Sequence, residues 1–357
     1  MKKVLIVIPN LGVGGAETLV VNMCRYFDPL QFDVKLVSLY PNQGSVNDKR
    51  AEQWDVPVIY LHKKEGFDFG TIAELKKLFS IEKPDVISTH LGAILYVGLS
   101  LRNAKKLHTI HHIPDPSKNL NSYRRQLFVF KMLFKIGRFT PIAVCDEAVP
   151  AISKTYGIPE TAIPCIYNGI ELKRYQHLKR DDDLIQIINV GSLSYVKNHS
   201  ALIRAVAEVH DRYDNVRLTI LGEGEKRPEL ESLIQELNLG GVVSLAGCVD
   251  DVAGFLSRAD LYVSTSISEA NPLSVLEAMA SQLPVIATDV GGMHNIITDG
   301  ENGFLVPLSD SRLLGERIVK LCIEADQRER MGLNSKKRSE VYDIQVCVKQ
   351  YEKLFNA

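Results

Sequence analysis

The chain has 357 residues, 45% hydrophobic and 24% charged, with a formal net charge of −1. This is ordinary globular composition, and the length predicts two domains, each able to bury a full core. A near-neutral chain without a recognisable reader motif argues against nucleic acid as a partner.

The charge is unevenly spread. Residues 1–170 carry 21 Lys and Arg against 15 Asp and Glu, and the rest carries 21 against 28. A basic half and an acidic half suggest that one domain meets something anionic. The six cysteines (Cys24, Cys145, Cys165, Cys248, Cys322, Cys347) form no C-x-x-C pair. They suggest neither a zinc site nor a disulfide framework, and so a reducing cytoplasm.

MKKVLIVIPN opens the chain with two lysines and a short apolar run. The run is too short for a signal peptide or a membrane span and reads as a first buried strand. Short strands are predicted at Val4–Ile8, Val34–Leu39, Val58–Leu61, Val86–Ser88, Leu107–Ile110, Ile142–Val144 and Ile163–Tyr167. Helical patterns fall between them, as at Ala16–Phe27, Ile72–Phe79 and Leu120–Ile136. The charged, apolar-poor KRDDDL (Lys179–Leu184) reads as a linker. The alternation then restarts with strands at Ile185–Val190, Val216–Leu221, Val242–Leu245, Leu261–Val263 and Pro284–Ala287, and helices such as Ala201–His210 and Pro228–Leu237. Such β-α alternation predicts two doubly wound, mostly parallel sheets facing each other across a cleft. Ligands of such sheets sit beyond the carboxyl ends of the strands.

The motifs fall at those strand ends. NLGVGGAE (Asn10–Glu17) puts Gly12, Gly14 and Gly15 between a strand and a helix. It is either a tight strand–helix turn or a close backbone approach to a ligand at a helix start. Glu17 rules out a Rossmann fingerprint, and no Gly-Lys-Ser/Thr follows to make a P-loop. VGSLSYVKNH (Val190–His199) places Lys197 just before a helix, either as a solvated side chain or as a cation for phosphate. LGEGEKRPEL (Leu221–Leu230) reads mainly as a turn that packs the next helix. Cys248 and Val249 follow a strand, where a flat base could lie against backbone amides.

SEANPLSVLEAMASQLPVIAT (Ser268–Thr288) carries the most chemistry. Asn271 is a favoured N-cap and Pro272 a favoured first residue, so a helix is predicted from 272. The N–H groups of Leu273 and Ser274 then lie in its first turn and offer an anion site. Glu277 follows roughly 8 Å from the helix start. Glu269 precedes it. The two acids bracket a diphosphate seat, one placed for a sugar and the other for ribose hydroxyls. A first-turn acid would be explained by the helix dipole, but Glu277 lies beyond that turn, among Leu276, Ala278 and Met279.

Together these residues resemble glycosyltransferase family 4, retaining enzymes of the GT-B fold. Glu269 and Glu277 match the family's E-x7-E motif, and the likeness continues through TDVGG (288–292) and DGENGFLVP (299–307). GGAE (14–17), IYNGIE (166–171) and VGSLSYVKNH match further family stretches, so the resemblance spans nearly the whole chain. It implies an N-terminal Rossmann-like domain over 1–170, with a helix near 342–357 packed back on it. A nucleotide-sugar-binding domain would span 171–341. It also implies that Glu269 contacts the donor sugar, that Glu277 holds the ribose, and that Lys197 and the helix-start amides bind the diphosphate. His111, in the Thr109–Ile110–His111 element, would lie near the reacting sugar, with His90 another cleft histidine. His112 is its immediate neighbour. Four positions, in three stretches, depart from the family pattern: Ser192 stands for an arginine, Ala270–Asn271 for Gly-Phe, and Glu171 for Asp.

The resemblance implies transfer of a sugar from a nucleotide-diphosphate donor to a glycan or lipid-linked acceptor, with retention. No resident cofactor is implied. No metal is required in that scheme, and Asp181–Asp183, the sole D-x-D, lies in the linker. Other GT-B activities (a phosphorylase or an epimerase) and a non-catalytic nucleotide-sugar binder are the alternatives. Residues 116–145 contain Lys118, Arg124, Arg125, Lys131, Lys135 and Arg138, interleaved with Leu127, Phe128, Phe130, Leu133 and Phe134. This is either a basic helix for an anionic membrane face or a helix packed on the sheet with a solvated basic side.

Overall fold

A computed structural model describes residues 1–100, 103–115, 121–136, 139–180 and 182–357, with the side chains of 121–126 and 136 left out. Lys118, Arg138 and Asp181 lie outside the described residues, as do the side chains of Arg124 and Arg125. The chain divides into two compact units, Met1–Gly169 with Ile344–Ala357, and Ile170–Asp343.

The first unit alternates β1 (Lys2–Ile8), α1 (Gly15–Cys24), β2 (Phe32–Ser38), α2 (Val46–Gln53), β3 (Val58–Tyr60), α3 (Phe69–Glu82), β4 (Val86–His90), α4 (Ala93–Leu99), β5 (Lys105–Ile110), α5 (Asn121–Ile136), β6 (Phe139–Ala143) and α6 (Ala148–Tyr156). The second runs β7 (Ile185–Val190), α7 (His199–His210), β8 (Val216–Leu221), α8 (Arg227–Glu236), β9 (Val243–Gly247), α9 (Val252–Ser257), β10 (Leu261–Ser264), α10 (Leu273–Ala280), β11 (Val285–Thr288), α11 (Met293–Ile296), β12 (Gly303–Val306), α12 (Ser311–Ile323) and α13 (Ala325–Ser339). Finally α14 (Ile344–Asn356) returns to the first unit.

Both sheets are six-stranded and doubly wound, ordered β3-β2-β1-β4-β5-β6 and β12-β11-β10-β7-β8-β9. All strand pairs within them are parallel. In each sheet the strand order reverses at its middle, between β1 and β4 and between β7 and β10. Connections diverge there and leave a crevice at the carboxyl ends. The strands are near-continuous apolar runs because both faces are covered: Val4 to Ile8 and Leu261 to Val263 are all within 2% of fully buried.

One strand expectation fails and one strand went unpredicted, each for an identifiable reason. Ile163–Tyr167 makes only a single bridge, Cys165 to Ala143, and is no strand. Pro164 has no N–H to give to a ladder. Conversely, GFLV is the edge strand β12. Gly303 opens it because a Cβ there would sit 2.0 Å from the Val285 carbonyl oxygen.

Helix α14 buries Ile344, Cys347, Val348, Tyr351 and Phe355, an i, i+3, i+4, i+7 stripe. Phe355 stacks on Phe27 at 5.5 Å, Tyr351 hydroxyl meets Thr109 Oγ1 at 2.8 Å, and Lys2 Nζ donates to the Phe355 carbonyl at 3.0 Å. Among the described residues, no helix is long and apolar enough to cross a membrane.

Candidate active site

The second unit's crevice collects its charged motif residues. Because β7 and β10 are neighbours, the loops that leave them run side by side. Lys197 ends a short 3-10 turn after β7, and Asn198 then takes a left-handed φ of 50° to enter α7. The β10 loop holds that turn in place. Thr265 Oγ1 donates to the Asn198 carbonyl at 2.9 Å, and Ile267 N–H donates to the Val196 carbonyl at 2.8 Å. Lys197 Nζ lies 2.6 Å from Glu269 Oε1, with side-chain exposures of 23% and 12%. Two residues read separately from the sequence therefore form one ion pair. The TDVGG turn supports the acid's backbone, since Gly292 N–H donates to the Glu269 carbonyl at 3.1 Å.

Beneath the pair lies a buried polar core. His199 Nε2 meets Asn189 Oδ1 at 2.8 Å, and Asn189 Nδ2 donates to the Val263 carbonyl at 2.7 Å. Burial, and then the neighbouring Lys197 charge, lower the His199 pKa to about 4.

The helix start departs from the sequence expectation. Helix α10 begins at Leu273, with Pro272 at the capping position, extended at ψ 120° and without a side-chain cap. Asn271 is not the N-cap. Proline fixes φ near −65° but leaves ψ free, so it fits the extended position before a helix as well as its first turn. Val275 and Leu276 N–H both turn back to the Pro272 carbonyl. The Leu273 and Ser274 amides precede the regular ladder, where helices carry unsatisfied donors.

Glu277, one turn on, accepts a hydrogen bond from the Tyr175 hydroxyl at 2.8 Å. Tyr262, fully buried under the same turn, donates to the Val190 carbonyl at 3.3 Å, and burial pushes its phenol well above the usual range. Sequence reading missed Tyr175, Tyr262 and Thr265. Their one signal was an aromatic or hydroxyl side chain at a strand or turn end.

The remaining predicted positions surround this core. Ser192 is exposed, and its Oγ meets Ser194 Oγ at 3.1 Å. Gly222 has a φ of +141°, and a Cβ there would sit 2.0 Å from the Gly191 carbonyl oxygen, so the LGEGEK turn packs tightly on the VGS turn. Val249 is half-buried in the loop between β9 and α9.

The first unit's crevice is of a different kind. After β1, Gly12 N–H donates to Asn10 Oδ1 at 2.9 Å, Asn47 Nδ2 donates to the Gly12 carbonyl at 2.7 Å, and the Ser45 hydroxyl donates to the Leu11 carbonyl. Gly14 precedes α1 and Gly15 begins it; a Cβ on Gly14 would meet the Glu17 carboxylate at 2.3 Å. Burial raises the Glu17 pKa.

At the ends of β4 and β5 the histidines gather. His90, fully buried, meets His111 Nε2 through its own Nδ1 at 2.9 Å. One ring must donate and the other accept, so their tautomers are linked. His108 belongs to the core, with Nδ1 2.9 Å from Thr89 Oγ1 and its ring against Phe130. His112 is exposed. Burial, and then the neighbouring imidazoles, lower His111 to about 4, His108 to about 3 and His90 well below its usual value. The His90–His111 pair is therefore neutral at physiological pH. Among the described residues, no group of three or more His, Cys, Asp or Glu could hold a metal ion.

Comparison with known proteins bears on this arrangement. The "Glycosyltransferase Family 4" model matches residues 13–174 and the "Glycosyl transferases group 1" model matches residues 171–338, so the two together run through both crevices. The chain belongs to glycosyltransferase family 4. It is 32% identical to EpsD of Bacillus subtilis (strain 168) over 184 residues, which is 52% of this chain and 48% of the relative. The chain thus spans about half the length of EpsD. It is 26% identical over 367 residues, 96% of each chain, to a Campylobacter jejuni enzyme. That relative is named N-acetylgalactosamine-N,N'-diacetylbacillosaminyl-diphospho-undecaprenol 4-alpha-N-acetylgalactosaminyltransferase. Among solved structures, Anabaena Alr3699/HepE in complex with UDP-glucose superposes with a TM-score of 0.85 at 21% identity, covering 100% of both chains. That likeness establishes the GT-B fold of this family 4 glycosyltransferase, with its two Rossmann-like units.

Proposed function

We propose that this family 4 glycosyltransferase moves a sugar, with retention, from a nucleotide-diphosphate sugar to a glycan or lipid-linked acceptor in bacterial surface polysaccharide or glycolipid synthesis. The observation that carries the reading is the ion pair of Lys197 and Glu269 beside the α10 start, with Glu277 one turn further on. A cation and two acids at that spacing suit the three parts of such a donor. Lys197 and the Leu273 and Ser274 amides meet the diphosphate, Glu269 the sugar hydroxyls and Glu277 the ribose. The names of the Campylobacter relative and of the Anabaena complex support the acceptor class and the donor class.

In this scheme the bond from the anomeric carbon to the phosphate oxygen breaks, and its electron pair leaves with the nucleotide diphosphate. Lys197 and the amides stabilise that growing charge from fixed positions. The acceptor oxygen bonds to the same face of the sugar, and its proton passes to the departing phosphate oxygen. A double displacement would need a carboxylate at the anomeric carbon. Glu269, the obvious candidate, pairs with Lys197 through one oxygen and takes the sugar-binding role in this scheme. His111, neutral, orients the sugar by hydrogen bonding. Protein groups take the place of a metal at the diphosphate.

The test is a thermal-shift panel of UDP-, GDP- and ADP-sugars with a chelator present. One base series should raise Tm by several degrees, and product NMR should show the donor's anomeric configuration. No shift from any donor would overturn the reading. Product formation that requires inorganic phosphate would favour a phosphorylase.

Helix α5 supports peripheral binding at the cytoplasmic membrane face. It buries Phe130 and Phe134, yet leaves Phe128 66% exposed, beside exposed Val129, Met132, Lys131 and Lys135. Apolar and basic side chains on one open helix surface suit an anionic bilayer.

A further inference from the structure

Tyr175 is the first large polar aromatic of the second unit, just past the point where the chain enters it at Ile170. A single 3-10 turn, Leu172–Arg174, delivers it, and its own N–H closes that turn on the Leu172 carbonyl at 3.1 Å. The turn is anchored in front by Ile170 N–H, which donates to the Tyr342 carbonyl at 2.9 Å. The ring is 8% exposed, and its hydroxyl donates to Glu277 Oε1 at 2.8 Å across 102 residues of sequence.

A carboxylate turns readily about its last side-chain torsion, which has broad rather than staggered minima. Fixing one oxygen with a buried hydroxyl fixes the plane of the other. A ribose diol needs two acceptor directions held at once, so an oriented carboxylate binds it better than a rotating one. A hydrogen bond to a charged acceptor from a buried donor is among the stronger kinds.

We infer that Tyr175 is a positioning residue for donor recognition: it orients Glu277 so that the carboxylate distinguishes ribose from deoxyribose nucleotides. This rests on the reading of Glu277 as the ribose acceptor and adds the residue that sets its geometry. Tyr175 touches neither sugar nor phosphate in this scheme, so its effect falls on binding and not on the chemical step.

The experiment measures Kd by calorimetry for UDP, GDP and ADP, and then for the 2′,3′-dideoxy form of whichever binds tightest. Wild type, Tyr175→Phe and Glu277→Gln are compared. Tyr175→Phe keeps the ring and therefore the packing, which a melting curve verifies. The expected result is about a tenfold loss for the ribonucleotide, as for one hydrogen bond to a charged group, and little loss for the dideoxy probe. With the sugar donor, KM rises and kcat stays level. Equal losses on both probes would make Tyr175 a packing residue. Tighter binding would make it an occupant that ribose must displace. Either result, or no change, overturns the inference. If Glu277→Gln also leaves ribonucleotide affinity intact, or if no nucleotide binds wild type, the ribose reading of Glu277 itself is what fails.

Discussion

The two crevices have the same topology and opposite chemistry. Each lies where its strand order reverses, β1 beside β4 in one and β7 beside β10 in the other. In the second unit the crevice holds a cation and two carboxylates, with Lys197 Nζ 2.6 Å from Glu269 Oε1. In the first unit it holds imidazoles, the buried His90 and the half-buried His111, 2.9 Å apart and with both pKa values lowered by desolvation. Fold therefore does not decide what a switch point binds; the side chains at the strand ends do. A charged crevice suits an anion whose charge grows during reaction. A neutral one suits hydroxyl groups, which it can bind without paying to desolvate an ion.

The largest effect should come from breaking the charged side. Lys197→Ala removes the cation proposed for the diphosphate, and kcat should fall by about 10²–10³, the scale for losing one preorganised electrostatic group. It also strands Glu269, which is 12% exposed, so stability should drop by about 1–3 kcal/mol, between the surface and buried limits for ion pairs. Lys197→Met with Glu269→Gln should regain most of that stability and none of the activity. Chemical denaturation and turnover read the two quantities separately. If the double variant recovered activity, the pair would serve the fold alone.

The neutral side should respond less. His111→Ala should lower kcat by about 10², within the range for a single positioned acid–base or hydrogen-bonding group. Donor affinity in the second unit should stay within twofold. His90→Asn, which offers an amide near the Nδ1 position, should retain more activity than His90→Phe. The ranking matters because both substitutions keep the site filled while only one keeps a partner for His111 Nε2. Equal activities would show that the His90–His111 contact is incidental.

The same contrast decides what the sequence alone revealed. Strands β7 and β8 were readable to the residue because IQIINV and VRLTIL are short β-branched, apolar-rich stretches bounded by polar turns, with their few polar residues set singly between apolar ones. β12 was not, because Gly303, needed for its close approach to Val285, reads as a breaker. At the site, residue types were legible and their partners were not. Lys197 and Glu269 are 72 residues apart, Tyr175 and Glu277 102, and only the crossing of β7 beside β10 joins the first pair. Pro272 misled by one residue, since its fixed φ serves two positions at a helix start.

A smaller effect is expected from acid. His90, His108 and His111 in the first unit have folded pKa values below their ordinary 6.5, as do His199 and the half-buried His177 in the second. A histidine with a depressed folded pKa takes up its proton more readily when unfolded. It therefore costs nothing above about pH 7, and stability falls as pH drops from about 6.5 toward 4. Each such group contributes at most about 1.4 kcal/mol per pH unit. With three strongly shifted histidines against one, β4 and β5 should lose amide-exchange protection at a higher pH than β7 and β10. Loss in the reverse order would show that something other than these imidazoles governs acid unfolding. His199→Gln should flatten the second unit's slope by up to one proton and leave the first unit's unchanged.

The smallest effect concerns α5, whose open surface combines the two kinds of chemistry that the crevices keep apart. Lys131 and Lys135 supply charge, and Phe128 supplies apolar area. Near an anionic bilayer each lysine is worth about 1 kcal/mol, so Lys131→Gln should weaken binding to phosphatidylserine vesicles about fivefold, and adding Lys135→Gln about fivefold again. Those losses should vanish as salt rises and the Debye length shrinks to about 3 Å near 1 M. Phe128→Ser should instead cost affinity at every salt concentration, because transfer of apolar area is not screened. Co-sedimentation at low and high salt separates the two contributions. Binding by wild type that ignores both lipid charge and salt would return α5 to the role of a packed helix with a solvated basic side.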